Sequence, residues 1–220
     1  MENILLSWSG GKDCSMALFE ELNGRKHSIA SLLTTVTEGF ERISMHGVRI
    51  SLLDMQAASL GMRLEKVYIP QNSSNEEYDA RMRRALEKHR TAGVASVAFG
   101  DLFLEDIRKY REGRLAEIGM HGLFPLWGRN TKELAEFFIS HGFRAAICCV
   151  DPKKLPVSFC GMEYDADLLD SLPSGIDPCG ENGEFHTFAY DGPIFSRRIP
   201  FHRGDTVIRD GFCFTDFLPD

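Results

Sequence analysis

One short stretch near the N-terminus constrains the fold more than any other, Ser9-Gly10-Gly11-Lys12-Asp13. An apolar run, residues 4–8, precedes it, and apolar residues recur at helical spacing after it. In this order of strand, turn and helix, two glycines let the backbone bend and bring its N–H groups close to a ligand. We expect Asp13 to be the N-cap, because its carboxylate can accept hydrogen bonds from the first turn. The free N–H groups and the helix dipole favour an anion, usually phosphate.

The turn matches neither of two common nucleotide-binding motifs. A Walker loop needs glycine at the position of Leu6 and serine or threonine at the position of Asp13. A dinucleotide-binding fingerprint, G-x-G-x-x-G, also fails, because only Gly10 and Gly11 are present. An ordinary strand-to-helix turn remains the alternative interpretation.

The stretch instead resembles the S-G-G-x-D-S loop of the PP-loop ATP pyrophosphatase superfamily. Those enzymes cleave ATP between the α- and β-phosphates and hold the pyrophosphate in this loop. The resemblance therefore implies an ATP site that includes Ser9, Gly10, Gly11, Lys12 and Asp13. Cys14 stands where the superfamily usually has serine, and Ser15 follows it. The sequence leaves open which of these two ATP-site candidates takes the role of that serine.

Apolar runs alternate with helix-like segments through the first two thirds of the chain. Strands are predicted over residues 4–8, 28–36, 64–69, 94–99 and 144–150, with helices between them. This alternation predicts an α/β fold, a doubly wound parallel five-stranded sheet with helices on both faces. The glycine turn, Thr34 and Gly100-Asp101 all follow strands, so we expect them to line one crevice and Thr34 to join the ATP site.

The composition changes after Asp151, where proline and glycine become frequent. Asp191-Gly192 and Asp210-Gly211 lie between alternating apolar residues, a pattern typical of hairpin turns. We therefore predict a PP-loop ATP-binding domain over residues 1–150. Residues 151–220 are predicted to form a small β-rich region that packs on it and completes the substrate site.

The overall charge and the cysteines narrow the functional classes. A net charge of −7 gives no general attraction for nucleic acid. No apolar run approaches the roughly 18 residues of a membrane span, and no signal peptide is evident, so we expect a cytoplasmic protein without membrane attachment. The six cysteines include no C-x-x-C pair, which argues against iron–sulfur or persulfide chemistry. The oligomeric state stays open and allows a homo-oligomer.

A second polar cluster lies in the glycine-rich stretch from Cys179 to Thr187. Glu181, Glu184 and His186 place two carboxylates and an imidazole within six residues. Such groups can hold Mg²⁺, orient an amine nucleophile or act as a general base. From composition alone, an exposed polar turn before a strand is an equally good interpretation.

Four segments taken together narrow the resemblance from the superfamily to one family within it. They are the glycine turn, residues 100–108, residues 125–129 and residues 181–187, in that order. Together they are similar to the diphthine–ammonia ligase family of PP-loop ATPases, also described as an ATP-binding domain of unassigned function. The resemblance covers nearly the whole chain. Asn182 and Phe185-His186 depart from the eukaryotic pattern and resemble a bacterial branch. This resemblance implies a small molecule, such as a corrinoid, as a candidate for the amidated acid.

The resemblance implies an ATP-dependent amide ligase that forms an acyl-adenylate, releases pyrophosphate and admits ammonia. ATP and Mg²⁺ are the implied cofactors, with Asp13 and Asp101 as metal ligands. Its implied catalytic residues are Glu181, Glu184 and His186. The implied substrate-binding residues are Arg108, Arg129 and Asn182, and Arg111 is a further candidate for binding a substrate carboxylate or phosphate. Its partners would be a small-molecule or protein carboxylate and ammonia.

Two other functions stay open at this point. A tRNA-modifying PP-loop ATPase predicts a basic groove and often C-x-x-C, and the chain has neither. A non-catalytic adenine-nucleotide-binding protein needs no second polar cluster, so residues 181–186 speak against it.

Overall fold

The computed structural model describes residues 1–43 and 46–220. Its strands are β1 Glu2–Ser7, β2 His27–Thr37, β3 Arg42–Ile43, β4 Leu64–Ile69, β5 Val94–Ala98, β6 His121–Leu123, β7 Arg144–Val150, β8 Phe185–Asp191, β9 Phe201–Arg209 and β10 Phe212–Pro219. Its α-helices are α1 Lys12–Gly24, α2 Ile50–Leu60, α3 Asn75–Thr91, α4 Glu105–Ala116, α5 Thr131–Ser140 and α6 Ala166–Ser171. Within these described ranges, no helix is long and apolar enough to cross a membrane.

The first sheet contains five parallel strands in the order β4-β2-β1-β5-β6, and the short β3 pairs antiparallel with β2. The chain order reverses beside β1, between β1 and β5. In open α/β sheets, ligands bind at such a switch point beyond the carboxyl ends of the strands. The predicted α/β fold with five parallel strands is confirmed.

Both faces of this sheet are covered, one by α1, α2 and the second sheet and the other by α3 and α4. In β1, Ile4 and Leu6 are buried on one face together with residues of α1, α2 and the second sheet. Leu5 is buried on the opposite face, where it belongs to a core with Leu86 of α3 and Leu115 of α4. Because alternate residues of a strand point to opposite faces, this near-continuous apolar run is what a doubly covered strand requires.

The second sheet is antiparallel, with the strand order β8-β7-β10-β9. The expectation that residues 144–150 form the fifth parallel strand was wrong, because β7 pairs antiparallel with β8 and β10. The fifth parallel strand is the short β6. An isolated apolar run carries no information about its partner strand, so the sequence could not separate the two sheets. The division of the chain at residue 150 stays a prediction, but β7 belongs to the second sheet.

Only one of the two predicted hairpin turns joins paired strands in the part of the chain that the structure describes. Asp210-Gly211 connects β9 to β10, and both residues have positive φ, as a tight hairpin turn requires. Asp191-Gly192 ends β8, but the next strand, β9, pairs with β10 instead. That second hairpin prediction was wrong.

Candidate active site

The glycine turn lies at the switch point of the first sheet, directly after β1. Gly10 has a φ of +76°, in the left-handed region that favours glycine. The N-cap of α1 is Gly11, and no side chain caps it through a hydrogen bond within its own turn. The prediction that Asp13 is the N-cap was wrong, because Asp13 lies in the first turn of the helix. The start of the helix is therefore built from two glycines.

The second sheet packs directly onto the glycine turn. The backbone N–H of Ala189, in β8, donates to the carbonyl oxygen of Gly10 at 2.8 Å. The buried side chain of Gln56 donates from Nε2 to both Gly10 O (2.9 Å) and Ala189 O (2.5 Å). A Cβ on Gly11 would lie 3.0 Å from the carbonyl oxygen of Thr187. Gly11 is therefore required for this close packing of two backbones.

Lys12 is a buried cation inside the site. Its Nζ pairs with Asp13 at 2.7 Å and donates to the carbonyl oxygen of Cys179. The rings of Tyr164 and Phe185 lie 5.7 and 5.8 Å from Nζ. Burial opposes the charge, but Asp13 and other anionic groups outweigh it and raise the pKa of Lys12 to about 12. Lys12 therefore carries a fixed positive charge beside the helix start.

Cys14 and Ser15 have different surroundings. The Cys14 thiol lines the cavity at the glycine turn and donates to Gly11 O at 3.1 Å. Ser15 is fully buried, donates from Oγ to Gly11 O at 2.8 Å and does not line that cavity. The structure thus brings Cys14, and not Ser15, to the cavity.

The end of β5 approaches the start of α1 closely. A Cβ on Gly100 would lie 2.8–2.9 Å from backbone atoms of Asp13 and Cys14. The next residue, Asp101, lines the same cavity as Asp13 and pairs with Nε of Arg111 at 2.8 Å. Burial raises the pKa of the Asp101 carboxyl, Arg111 opposes this effect and Asp13 adds to it. Glycine at position 100 thus allows two acidic side chains to converge.

The second polar stretch closes this cavity from the opposite side. Glu181 lines it and accepts a hydrogen bond from the N–H of Leu102 at 2.8 Å. Burial raises the pKa of Glu181 to about 7, and the charges of Asp13 and Asp101 add to this effect. A carboxyl group with this pKa can accept a proton near neutral pH.

Glu184 and Asn182 lie apart from the cavity lining. Glu184 is buried, and its Oε1 accepts hydrogen bonds from Asp177 N and Asn182 Nδ2, both at 3.1 Å. The backbone carbonyl of Asn182 accepts a hydrogen bond from Lys154 Nζ at 2.6 Å. Both side chains therefore hold the turn that presents Glu181. The structure does not bring them to the cavity with Glu181.

His186 lines the cavity together with a second histidine that the sequence interpretation did not propose for the site. The rings of His46 and His186 stack with their centroids 4.4 Å apart. Burial lowers the pKa of His186 to about 4 and that of His46 well below its ordinary value. Both imidazoles are neutral at physiological pH. His46 belongs to the segment before α2, and no local pattern in the sequence links it to residue 186.

Two cavities meet at the switch point. The smaller, of about 230 Å³, is lined by the glycine turn, Gly100-Asp101, residues 179–181 and residues 185–187. The larger, of about 500 Å³, lies at the ends of β1, β2 and β4 and includes Thr34. Both are lined by Ser7, Ser9, His46, Phe99 and Arg111. The glycine turn and Gly100-Asp101 thus line the smaller cavity, whereas Thr34 lines the larger cavity beside it.

Two of the three arginines proposed for the substrate, Arg108 and Arg129, lie away from the cavities. Arg108 pairs with Glu112 at 2.9 Å, and its guanidinium lies 4.7 Å from the ring centroids of both Phe124 and Trp127. Arg129 pairs with Glu20 at 2.6 Å. Neither lines the two cavities, whereas Arg111 lines both. Cationic side chains on a helix surface look alike in a sequence, so the pattern could not single out Arg111.

The acidic side chains around the smaller cavity fit Mg²⁺ in part. Among the described residues, no group of three or more His, Cys, Asp and Glu side chains is arranged to hold a metal ion. Mg²⁺ is often held by only one or two carboxylates together with substrate phosphates. Asp13 and Asp101 line the same cavity and are close enough for one to raise the pKa of the other. Their donor chemistry therefore suits a metal that arrives with phosphate groups.

Comparison with known families accounts for most of the chain. A model of the diphthamide synthase N-terminal domain matches residues 1–122, and a model of the diphthamide synthase C-terminal domain matches residues 130–215. These two matches include the glycine turn, Asp101, β8 and the stretch around Glu181.

Curated relatives are named diphthine–ammonia ligase. The one from Danio rerio is 26% identical over 96% of this chain and 91% of its own length. Those from Homo sapiens and Rattus norvegicus are 32% and 31% identical over 58% of this chain, which spans about half (49%) of each. Among solved structures, the U34-tRNA thiolase NcsA from Methanococcus maripaludis with its [4Fe-4S] cluster aligns at 17% identity with a TM-score of 0.38. It covers 62% of this chain and 56% of its own.

Proposed function

Since the chain belongs to the diphthamide synthase family, we propose that it is an ATP-dependent, AMP-forming ligase that joins a carboxylate to ammonia. The observation that carries the proposal is the shared cavity of about 230 Å³. There the glycine turn and Asp101 face Glu181, whose pKa is about 7. A phosphate-binding element and a neutral-pH base therefore lie on opposite walls of one space.

In this proposal the nucleoside of ATP occupies the larger cavity, where Thr34 lies. The phosphates extend past Ser9 into the smaller cavity. Backbone N–H groups at the start of α1 and the charge of Lys12 stabilise the departing pyrophosphate. Because Lys12 is buried and fixed by Asp13, its charge needs no rearrangement as pyrophosphate leaves.

Asp13 and Asp101 would hold Mg²⁺ bound to the phosphates. The metal would supply neutralisation of the phosphate charge during attack on the α-phosphate. Arg111, which pairs with Asp101, also faces both cavities and adds a second positive charge.

The proposed reaction has two steps. An oxygen of the substrate carboxylate attacks the α-phosphorus, the bond to the β-phosphate oxygen breaks and pyrophosphate leaves. Ammonia then attacks the acyl carbon, one of its protons passes to the Glu181 carboxylate and AMP leaves as the amide forms. Glu181 suits the proton transfer because its pKa of about 7 lies near the operating pH. His186 lines the same cavity as a neutral imidazole.

The proposal extends to the identity of the acid substrate. The curated relatives are named for diphthine, a protein-borne acid. The Asn182 and Phe185-His186 version of the second polar stretch favours a small-molecule acid, with a corrinoid side chain as one candidate.

A product assay tests the proposed reaction. Purified protein is incubated with ATP, Mg²⁺ and candidate acids, with and without ammonium, and pyrophosphate, AMP and amide are measured. We expect equal amounts of AMP and pyrophosphate, and amide only with ammonium. ATP that stays intact with every acid would favour a non-catalytic nucleotide-binding protein, and turnover that needs tRNA would favour a tRNA-modifying enzyme.

A further inference from the structure

A third cavity, of about 380 Å³, lies between α3 and α4 and opens toward the two nucleotide cavities. Apolar side chains form its floor, among them Met82, Leu86, Phe99 and Leu115. Phe99 and Arg111 line this groove and also both nucleotide cavities. The groove therefore runs from the outer surface of the two helices to the point where the nucleotide cavities meet.

Four charged groups at the rim of the groove form two ion pairs. Arg114 pairs with Asp79 at 2.6 Å, and Arg83 pairs with Glu117 at 2.6 Å. The phenol of Tyr110 donates to Asp79. Glu76, the remaining charged group of the rim, is a carboxylate, so the positive charge that this groove offers a ligand is that of Arg111.

Arg111 differs from the rim arginines. Its guanidinium lies 4.4 Å from the ring centroid of Phe99, at the inner end of the groove. Its ion pair with Asp101 uses Nε, so a bidentate ligand could be bound by the terminal nitrogens. A groove with an apolar floor and a guanidinium at its inner end is complementary to a carboxylate carried on an apolar body.

We propose that this groove binds the acid substrate, an apolar molecule or group whose carboxylate meets Arg111 beside the α-phosphate of ATP. The inference rests on the proposed ligase function and adds to it a place and a chemical class for the acid. An apolar body along Met82 and Leu115 leaves its carboxylate at the junction shared with the nucleotide cavities. Glu181, the proposed base for ammonia, lines the smaller nucleotide cavity, which shares Phe99 and Arg111 with the groove.

Binding of a defined probe tests the proposal without turnover. The probe is 3-(4-fluorophenyl)propanoate, observed by ¹⁹F NMR with the full chain, Mg²⁺ and α,β-methylene-ATP. We expect saturable binding that the nucleotide analogue does not displace, and binding of the uncharged 3-(4-fluorophenyl)propanamide weaker by about tenfold. Arg111→Gln should remove the difference between the acid and the amide.

A steric variant locates the probe. Ala80→Trp fills the groove from the exposed face of α3 and should weaken binding of the acid by about tenfold or more. Arg84→Trp is the matched control, because Arg84 is exposed on the same helix but does not line the groove. It should bind the probe within about twofold of the unmodified chain. Both variants should bind α,β-methylene-ATP normally, and circular dichroism should show the unmodified fold.

Three outcomes would overturn the groove assignment: no saturable binding of the probe, equal binding by Ala80→Trp, or displacement by the nucleotide analogue. The proposed ligase function fails separately, if no acid elicits pyrophosphate release although the probe binds as expected. Conversely, amide formation by Ala80→Trp with an unchanged KM for the acid would refute the groove while the ligase function stands.

Discussion

The side-chain oxygen of Thr187, on β8, accepts a hydrogen bond from the backbone N–H of Lys12 at 3.1 Å. Gly11, the N-cap of α1, has no side chain that could accept this hydrogen bond. Thr187, 175 positions further along the chain, therefore accepts it instead. This contact couples the second sheet to the glycine turn.

Replacing Thr187 with valine should destabilise the fold. Valine has nearly the same shape but leaves the buried N–H of Lys12 without its partner, which costs about 1–3 kcal/mol. Urea unfolding followed by circular dichroism measures the change. Thr187→Ser keeps the hydroxyl and should retain most of the stability, so equal loss in both variants would show that the hydrogen bond is unimportant.

Gly11→Val should abolish ATP binding, because the new side chain would push β8 away from the glycine turn. The new Cβ would lie 3.0 Å from Thr187 O and 3.3 Å from His46 Cε1, both on the wall of the cavity. We expect the ATP dissociation constant, measured by calorimetry, to rise by about two orders of magnitude, a loss of about 3 kcal/mol.

Gly24→Val is the control for this substitution. Gly24 also belongs to α1, but no atom lies within 4 Å of a Cβ placed there. That variant should bind ATP like the unmodified chain. Normal ATP affinity in Gly11→Val would contradict the assignment of the turn to the phosphates.

Local sequence was informative where one segment sets its own structure. The turn after β1 follows from two adjacent glycines between an apolar run and a helix. Asn130 and Glu133 have the spacing of a capping box, and Asn130 does cap α5 by accepting from the N–H of Glu133 at 3.1 Å. Four of the five parallel strands, β1, β2, β4 and β5, follow from the alternation of apolar runs and helices. These features depend on residues only a few positions apart.

Features that depend on distant packing could not be predicted. The apolar run of β7 suits either sheet, and only its pairing with β8 and β10 assigns it to the second. The stacking of His46 on His186 and the capping of Lys12 by Thr187 join segments separated by more than 100 residues. Arg111 reaches the site, and Arg108 does not, because of the way α4 is oriented on the sheet.

Glu184→Gln should slow turnover and leave ATP binding nearly unchanged. Its Oε1 holds Asp177 N and Asn182 Nδ2, so the substitution disturbs the turn that presents Glu181 and not the nucleotide cavities. We expect the rate of AMP formation to fall by about tenfold, through misplacement of Glu181. An unchanged rate would show that the turn tolerates the amide, and Glu184 would have no role in turnover.

The pH dependence of turnover should report Glu181. Its carboxyl must be ionised to accept a proton, and its pKa of about 7 predicts that kcat/KM for ammonia rises as the pH increases through 7. Glu181→Gln should lower kcat by about 100-fold and remove that ionisation from the profile.

The raised pKa of Glu181 also affects the free energy of unfolding, which should decrease as the pH increases. Because the native state holds this proton up to about pH 7 and an unfolded glutamate releases it near its ordinary value of 4.5, the contribution of Glu181 to stability is greatest at low pH and declines between pH 4.5 and 7. The stability of Glu181→Gln relative to the unmodified chain should therefore increase as the pH is raised across that interval, measured by urea unfolding at fixed ionic strength. A stability difference that is constant from pH 4.5 to 7 would contradict the raised pKa, and with it the choice of Glu181 as the base for ammonia.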